Sequence, residues 1–190
     1  KRSKSSARRL YCRRIRQAEK NYICRIEHLA ACFGISEQAV KQLKDRRETL
    51  KKLKVWLSHF RGKVLYENAT LEEALRESAA KAGSECAPFF LSVAEELEER
   101  NGMRLSQVWE KQCECLRKGT ALSAEELGEI NRFGAGLGEL DVKVQERAII
   151  RYDEELTAAL MGVTGELEKK ERLYRSLGVL AGCFIIIVLW

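Results

Sequence analysis

The side chains able to do chemistry in this chain are few in kind. Two histidines, His28 and His59, stand among 190 residues with seven cysteines and 28 carboxylates. Histidine supplies most general bases and many metal ligands, so two distant ones leave little for acid–base work. The cysteines lie at 12, 24, 32, 86, 113, 115 and 183, an odd number at irregular spacing. Only Cys113 and Cys115 are close, and residues two apart on a helix point to different faces. The pattern predicts reduced cysteines in a cytoplasm-facing body, packing as small apolar residues. Glu95, Glu96, Glu98 and Glu99 could be imagined as paired carboxylates, but they read as the solvated face of a helix. The run Phe133-Gly-Ala-Gly-Leu-Gly138 has no strand before it and lacks the last glycine spacing of a dinucleotide fingerprint. It is expected to break or loosen a helix and to let helices approach closely. There is no Gly-rich phosphate loop with a lysine, no H-E-x-x-H and no G-x-S-x-G. The chain therefore reads as non-enzymatic, with no cofactor, metal or small-molecule substrate expected.

The elements that position these residues read as helices. Pro88 is the single proline, and Asn101-Gly102 the single Asn-Gly. Strand-rich folds consume many such turn residues, whereas a chain 33% charged and rich in Leu and Ala favours helix. The fold class is all-α, a bundle of about six helices. Its first long helix starts near Glu48, with Leu50, Leu53, Leu57, Phe60 and Val64 spaced 3, 4, 3, 4 as a packing seam, and Asn68-Ala69 ends it. Thr70 and Glu73 form a capping box for a helix that Gly83 stops, and Pro88 is expected to start the next. A short helix carries Leu105, Val108, Trp109 and Leu116, and Gly119 ends it. Ser123 and Glu126 form a second capping box, followed by Leu127, Ile130 and Phe133. The last helix carries Ile149, Tyr152, Leu156, Leu160, Val163 and Leu167 in one stripe, with Gly162 and Gly165 as places to bend.

Charge divides the chain. Residues 1–63 hold 19 Lys and Arg against 5 Asp and Glu, and the remainder holds 15 against 23. A basic arm precedes an acidic body, and such an arm suits anionic lipid, nucleic acid or an acidic partner. At the other end no charge follows Arg175. Residues 176–190 are apolar on every face and span roughly 22 Å as a helix, short of a full crossing of about 20 residues. Lys169, Lys170, Arg172 and Arg175 flank them as a cytoplasmic flank should. Leu177, Leu180, Phe184, Ile185, Ile186, Ile187 and Trp190 are the candidate anchor, and membrane lipid is an expected partner. The domains expected are a basic arm with two short helices at 1–46, a helical bundle at 47–175 and an anchor at 176–190.

Residues 26–46 carry a rival signal. Ala30, Gly34, Ile35, Val40 and Leu43 sit where a helix-turn-helix needs a small contact, a turn and apolar packing, and Ser36 would cap the second helix. Gln38, Lys41, Gln42 and Lys44 would then face a DNA groove. Such a module needs a third helix, and the apolar set Ile26, Leu29, Phe33, Ile35, Val40 and Leu43 packs two helices without closing a domain. The reading adopted is two short amphipathic helices leading into the bundle. Sequence-specific nucleic acid is not expected as a partner. A helix-turn-helix regulator stays as the alternative, beside an unrelated tail-anchored helical adaptor.

From Arg47 to Trp190 the chain resembles the stage III sporulation protein AB family. The blocks that carry the likeness are Leu50, Leu53 and Tyr66 with Leu71, Glu73 and Ala74; Pro88 and Phe90; Trp109; Thr120-Ala-Leu122; Phe133, Gly134, Leu137, Gly138, Asp141 and Gln145; and Ser176 to Gly182. The Phe133–Gln145 block follows an F-G-x-x-L-G-x-x-D-x-x-x-Q pattern. The resemblance implies a helical cytoplasmic domain like the F-type domains of type II secretion platforms. It also implies membership of the sporulation channel complex between mother cell and forespore, with membrane subunits and an associated ATPase as partners. The chain would be a scaffold held in the cell membrane by one C-terminal anchor, its body in the mother-cell cytoplasm. The family carries a membrane segment before its first helix, whereas the corresponding stretch here is basic and polar. Its Gly-x-Thr-Pro turn is here Glu67-Asn-Ala-Thr70, where Thr70 can still cap. Trp109, Phe133, Gly134, Leu137, Gly138 and Asp141 are the candidate partner interface, with core packing as the other reading of Trp109.

Overall fold

A computed structural model describes residues 38–99, 103–138 and 141–189, with side chains as far as Leu180 except at position 179. Two compact units divide between Lys41 and Gln42, and the second, Gln42–Trp190, is the helical body. Every regular element among the described residues is helical.

Helix α1 covers residues 38–65. It passes through residues 46 and 47 without a break, so the expected boundary there falls inside a helix. The second of the two expected short helices is instead the start of this long one. Leu50, Leu53, Leu57 and Phe60 are buried, as their spacing predicts, and so are Leu43 and Trp56. The buried stripe is wider than a two-helix seam because α1 has neighbours on several sides. Trp56 stacks on Phe90, with ring centroids 3.7 Å apart, and meets Phe133 edge-on at 6.0 Å. Lys54 Nζ reaches Asp153 at 3.3 Å. Asn68 ends the helix region at φ 51°, a left-handed conformation that Asn tolerates better than most residues.

Helix α2 spans Leu71–Ser78, and Thr70 Oγ1 accepts from the Glu73 N–H at 3.4 Å, the Thr70 half of the expected capping box. A 3-10 turn, Ala79–Ala82, leads into α3, Gly83–Glu98. Here the expectation needs correcting, because α3 begins at Gly83 and Pro88 lies inside it. The joint needs φ +79° at Gly83, a backbone conformation that strains any residue but glycine. Pro88 sits on the exposed face, where the Ser84 carbonyl that loses its helical N–H partner can be solvated.

Helix α4 is Leu105–Gly119, α5 is Ala124–Leu137 and α6 is Val142–Leu189. The capping box before α5 is complete: Glu126 N–H donates to Ser123 Oγ at 3.3 Å and Ser123 N–H to Glu126 Oε2 at 2.7 Å. The glycine run does not break α5, which continues helical to Leu137. Consecutive helices from α2 to α6 pack against one another in chain order. Helix α6 has 48 residues, about 72 Å at 1.5 Å per residue, and runs through Gly162 and Gly165 uninterrupted. Ile149, Tyr152, Leu156, Val163 and Leu167 of its stripe are buried. From 171 to 178 its residues are exposed, apart from half-buried Tyr174. Among the described residues no helix is long and apolar enough to cross a membrane. Exposed Leu177 and Leu180 are the part of the expected anchor that can be described. The side chains of Phe184, Ile185, Ile186, Ile187 and Trp190 lie outside the described residues.

Candidate functional site

The Phe133–Gln145 block takes in the end of α5 and the start of α6. Gly134 presents a bare helical face to the Trp109 indole, where any Cβ would collide with the ring. Trp109 Nε1 donates to the Ile130 carbonyl at 2.9 Å, so the indole is fixed by a hydrogen bond as well as by packing. Gly136 brings α5 onto α6, since a Cβ there would lie 2.7 Å from Ala148 Cβ. Asp141 opens α6, its Oδ1 accepting from the Lys143 N–H at 2.9 Å. Gln145 Nε2 reaches back to the Leu137 carbonyl at 3.2 Å, satisfying an orphan group at the end of α5. Each residue of the F-G-x-x-L-G-x-x-D-x-x-x-Q pattern named here thus has a packing or capping task.

That geometry corrects the expected partner interface. Trp109, Phe133, Gly134 and Leu137 are buried, and only Gly138 and Asp141 are exposed. Phe133 stacks on Tyr152 at 4.7 Å and meets Trp109 edge-on at 5.7 Å. Their side chains are inside the core and cannot touch a partner. The DNA-facing candidates fare differently. Gln38, Lys41, Gln42 and Lys44 are all exposed on α1, and Lys44 Nζ pairs with Glu171 of α6 at 3.2 Å. Residues 26–37, the rest of the helix-turn-helix pattern, lie outside the described residues.

One accessible groove of the body, of about 290 Å³, lies where α1, α5 and α6 meet. Leu50, Leu53, Ile130, Leu156 and Val163 line its floor, and Glu125, Glu129, Glu155 and Glu166 line its sides. One end is closed by Arg46, whose Nε donates to Glu126 Oε1 at 2.9 Å and to Oε2 at 3.0 Å, with Nη2 3.3 Å from Ser123 Oγ. Glu126 therefore caps α5 and ties α1 to it. A smaller groove of about 230 Å³ lies on the other side of Tyr152, with Arg132, Arg147 and Arg151 along it. Tyr152 borders both, only 4% exposed, and burial holds its hydroxyl well above the usual phenol range. Sequence reasoning passed over these residues because each carboxylate belongs to a different turn or helix. Glu126 was legible only as a cap.

The carboxylate run on α3 is an ion-paired surface. Glu96 accepts from Lys111 Nζ at 2.9 Å and Gln112 Nε2 at 2.6 Å, and Glu98 pairs with Arg76. Those hydrogen bonds hold both carboxyls below the usual range. Burial pushes the Cys86 and Cys113 thiols up to about 12, so both are un-ionised at neutral pH, whereas Cys115 is exposed on the other side of α4.

A family model described as stage III sporulation protein AB matches residues 23–190. A solved structure titled as stage III sporulation protein AB is similar at TM-score 0.51 and 17% identity, over 70% of this chain and 98% of that chain. At that identity the likeness speaks for the fold. No curated protein matches the chain.

Proposed function

The chain belongs to the stage III sporulation protein AB family, and from that premise we propose that it is a non-enzymatic scaffold of the sporulation channel complex. The observation that carries the reading is the family match over residues 23–190, which takes in the whole described body. The body suits the role. Its buried aromatic residues Trp56, Phe60, Phe90, Trp109, Phe133 and Tyr152 pack on one another, and Gly134, Asp141 and Gln145 have packing or capping tasks, which suits a block that works through helix–helix contacts. The expected partners are the membrane subunits of the complex and its ATPase.

The proposed place is the cell membrane, with the body in the mother-cell cytoplasm and residues 176–190 as the anchor. Support comes from α6 itself. Lys169, Arg172 and Arg175 are exposed on the stretch that leads out of the bundle, ahead of the uncharged run. Fractionation of the full chain beside a chain cut after Arg175 tests this, at low salt and at 1 M salt. Removal of the tail should release the protein at high salt, where attraction between basic residues and anionic lipid is screened. A cut chain that still sediments with membrane at high salt rejects the tail as anchor. The scaffold role is tested by co-purification of the full chain with its ATPase from sporulating cells. An ATPase that assembles normally without this chain argues against it.

A further inference from the structure

We propose that the groove between α1, α5 and α6 is a socket for an arginine side chain presented by a partner protein. The inference rests on the reading of the chain as part of an assembly, and it names the chemistry of one contact. Three observations carry it. The first is uncompensated charge. Among the described residues Arg46 is the one basic residue lining the groove, and it is engaged by Glu126. Glu129 is paired with Arg132, while Glu125, Glu155 and Glu166 have no ion-pair partner among the described residues. The second is Tyr152. It is 4% exposed and forms part of the groove wall, and no described residue hydrogen-bonds its hydroxyl. The hydroxyl keeps contact with solvent, since it is not one of the buried atoms left without a bond, and a guest able to bond it gains a contact that no described residue supplies.

The third observation is shape and spread. A volume of about 290 Å³ over an apolar floor takes one long side chain rather than a whole helix. The carboxylates do not converge as a metal site does, for among the described residues no three acidic, Cys or His groups could hold one ion. A guanidinium suits scattered acceptors, because its five N–H donors fan out in a plane, while an aliphatic stem lies on the leucines below. Arg46 already shows this mode at the groove's end, with two bonds to one carboxylate and its Nη2 beside a hydroxyl oxygen. A lysine ammonium would reach fewer of these groups.

The test uses the full chain and three alanine-based helical peptides that differ at one central residue: arginine, lysine or citrulline. Citrulline keeps the shape of arginine and removes its charge. Binding is followed by fluorescence anisotropy into the millimolar range. The arginine peptide should bind at least about tenfold more tightly than the citrulline peptide, as a charge-assisted contact requires, and more tightly than the lysine peptide. Glu155→Gln with Glu166→Gln should remove that preference, whereas Glu154→Gln with Glu168→Gln, on exposed turns outside the groove, should leave it. Tyr152→Phe should weaken the arginine peptide about threefold without lowering Tm, because the hydroxyl lost has no partner among the described residues. Equal binding of arginine and citrulline peptides, no saturable binding at all, or equal losses from the two glutamine pairs would each overturn the socket. None of these outcomes alters the fractionation or ATPase result, so the socket and the scaffold reading fail separately.

Discussion

At the residue scale, two glycines of α5 show how position decides the worth of a missing side chain. Gly134 accommodates the Trp109 ring, and Gly128 has nothing within 4 Å of a Cβ. Gly134→Ala should destabilise the protein by about 1–3 kcal/mol through overpacking against the indole. Gly128→Ala should stabilise it by about 1 kcal/mol, since Ala loses less backbone entropy in a helix. Thermal or denaturant unfolding of the pair checks both signs in one helix. The cysteines differ in the same way. Cys86 is buried and un-ionised, Cys113 is half-buried and also raised to about 12, and Cys115 is exposed. Among these three, maleimide at neutral pH should modify Cys115 first, read by mass spectrometry of the native protein. Modification of Cys86 ahead of Cys115 would mean that α3 opens more readily than its packing allows.

At the scale of elements, polar ties join the helices. Arg46→Met leaves the Glu126 carboxylate, in a residue only 7% exposed, with the Ser123 N–H alone. The loss should be about 2–3 kcal/mol, below the 3–5 kcal/mol of a fully buried pair, because that N–H bond survives. Chemical denaturation measures it, and a change below 0.5 kcal/mol, the level of an exposed pair, would show that the α1–α5 tie is superficial. The ties from α3 to α2 and α4 respond to acid. Glu96 and Glu98 have folded pKa values below the ordinary 4.5, so they add stability above that value and lose it as pH falls through the lower, folded one. A Glu96→Gln, Glu98→Gln variant should therefore show a shallower fall of Tm below pH 4.5 than the parent. Parallel curves would mean that these exposed pairs contribute nothing measurable.

On the scale of the whole molecule, α6 has two roles along one helix. Up to Leu167 its buried stripe closes the bundle, and from residue 171 to 178 its side chains are exposed apart from half-buried Tyr174. Cutting the chain after Arg175 should leave the Tm of the body within about 1 °C, because the residues removed bury no described side chain. Differential scanning calorimetry tests this beside the fractionation. A fall of several degrees would show that the tail packs on the body, and the 48-residue helix would then act as one structural piece.

The helical class, both caps and the stripes of α1 and α6 were legible in the sequence, because they depend on neighbours within a turn or two. Thr70, Ser123 and the Ile149–Leu167 stripe needed only local spacing to be read. The family pattern was legible too, but its meaning was not. Phe133, Gly134 and Leu137 resemble a conspicuous surface until Trp109 is seen lying on the glycine. Pro88 reads as a helix start, yet the +79° φ available to Gly83 lets α3 begin five residues earlier. The acidic groove was invisible because Tyr152, Glu155 and Glu166 share one face of α6 but meet Arg46 of α1 and Glu126 of α5 only when the three helices pack. Packing of α1 against α5 and α6 is what sets carboxylates from two helices around one volume and leaves the Tyr152 hydroxyl without a partner among the described residues. Local chemistry thus determined the elements, and only tertiary contact decided which of their side chains became core and which were left to meet something else.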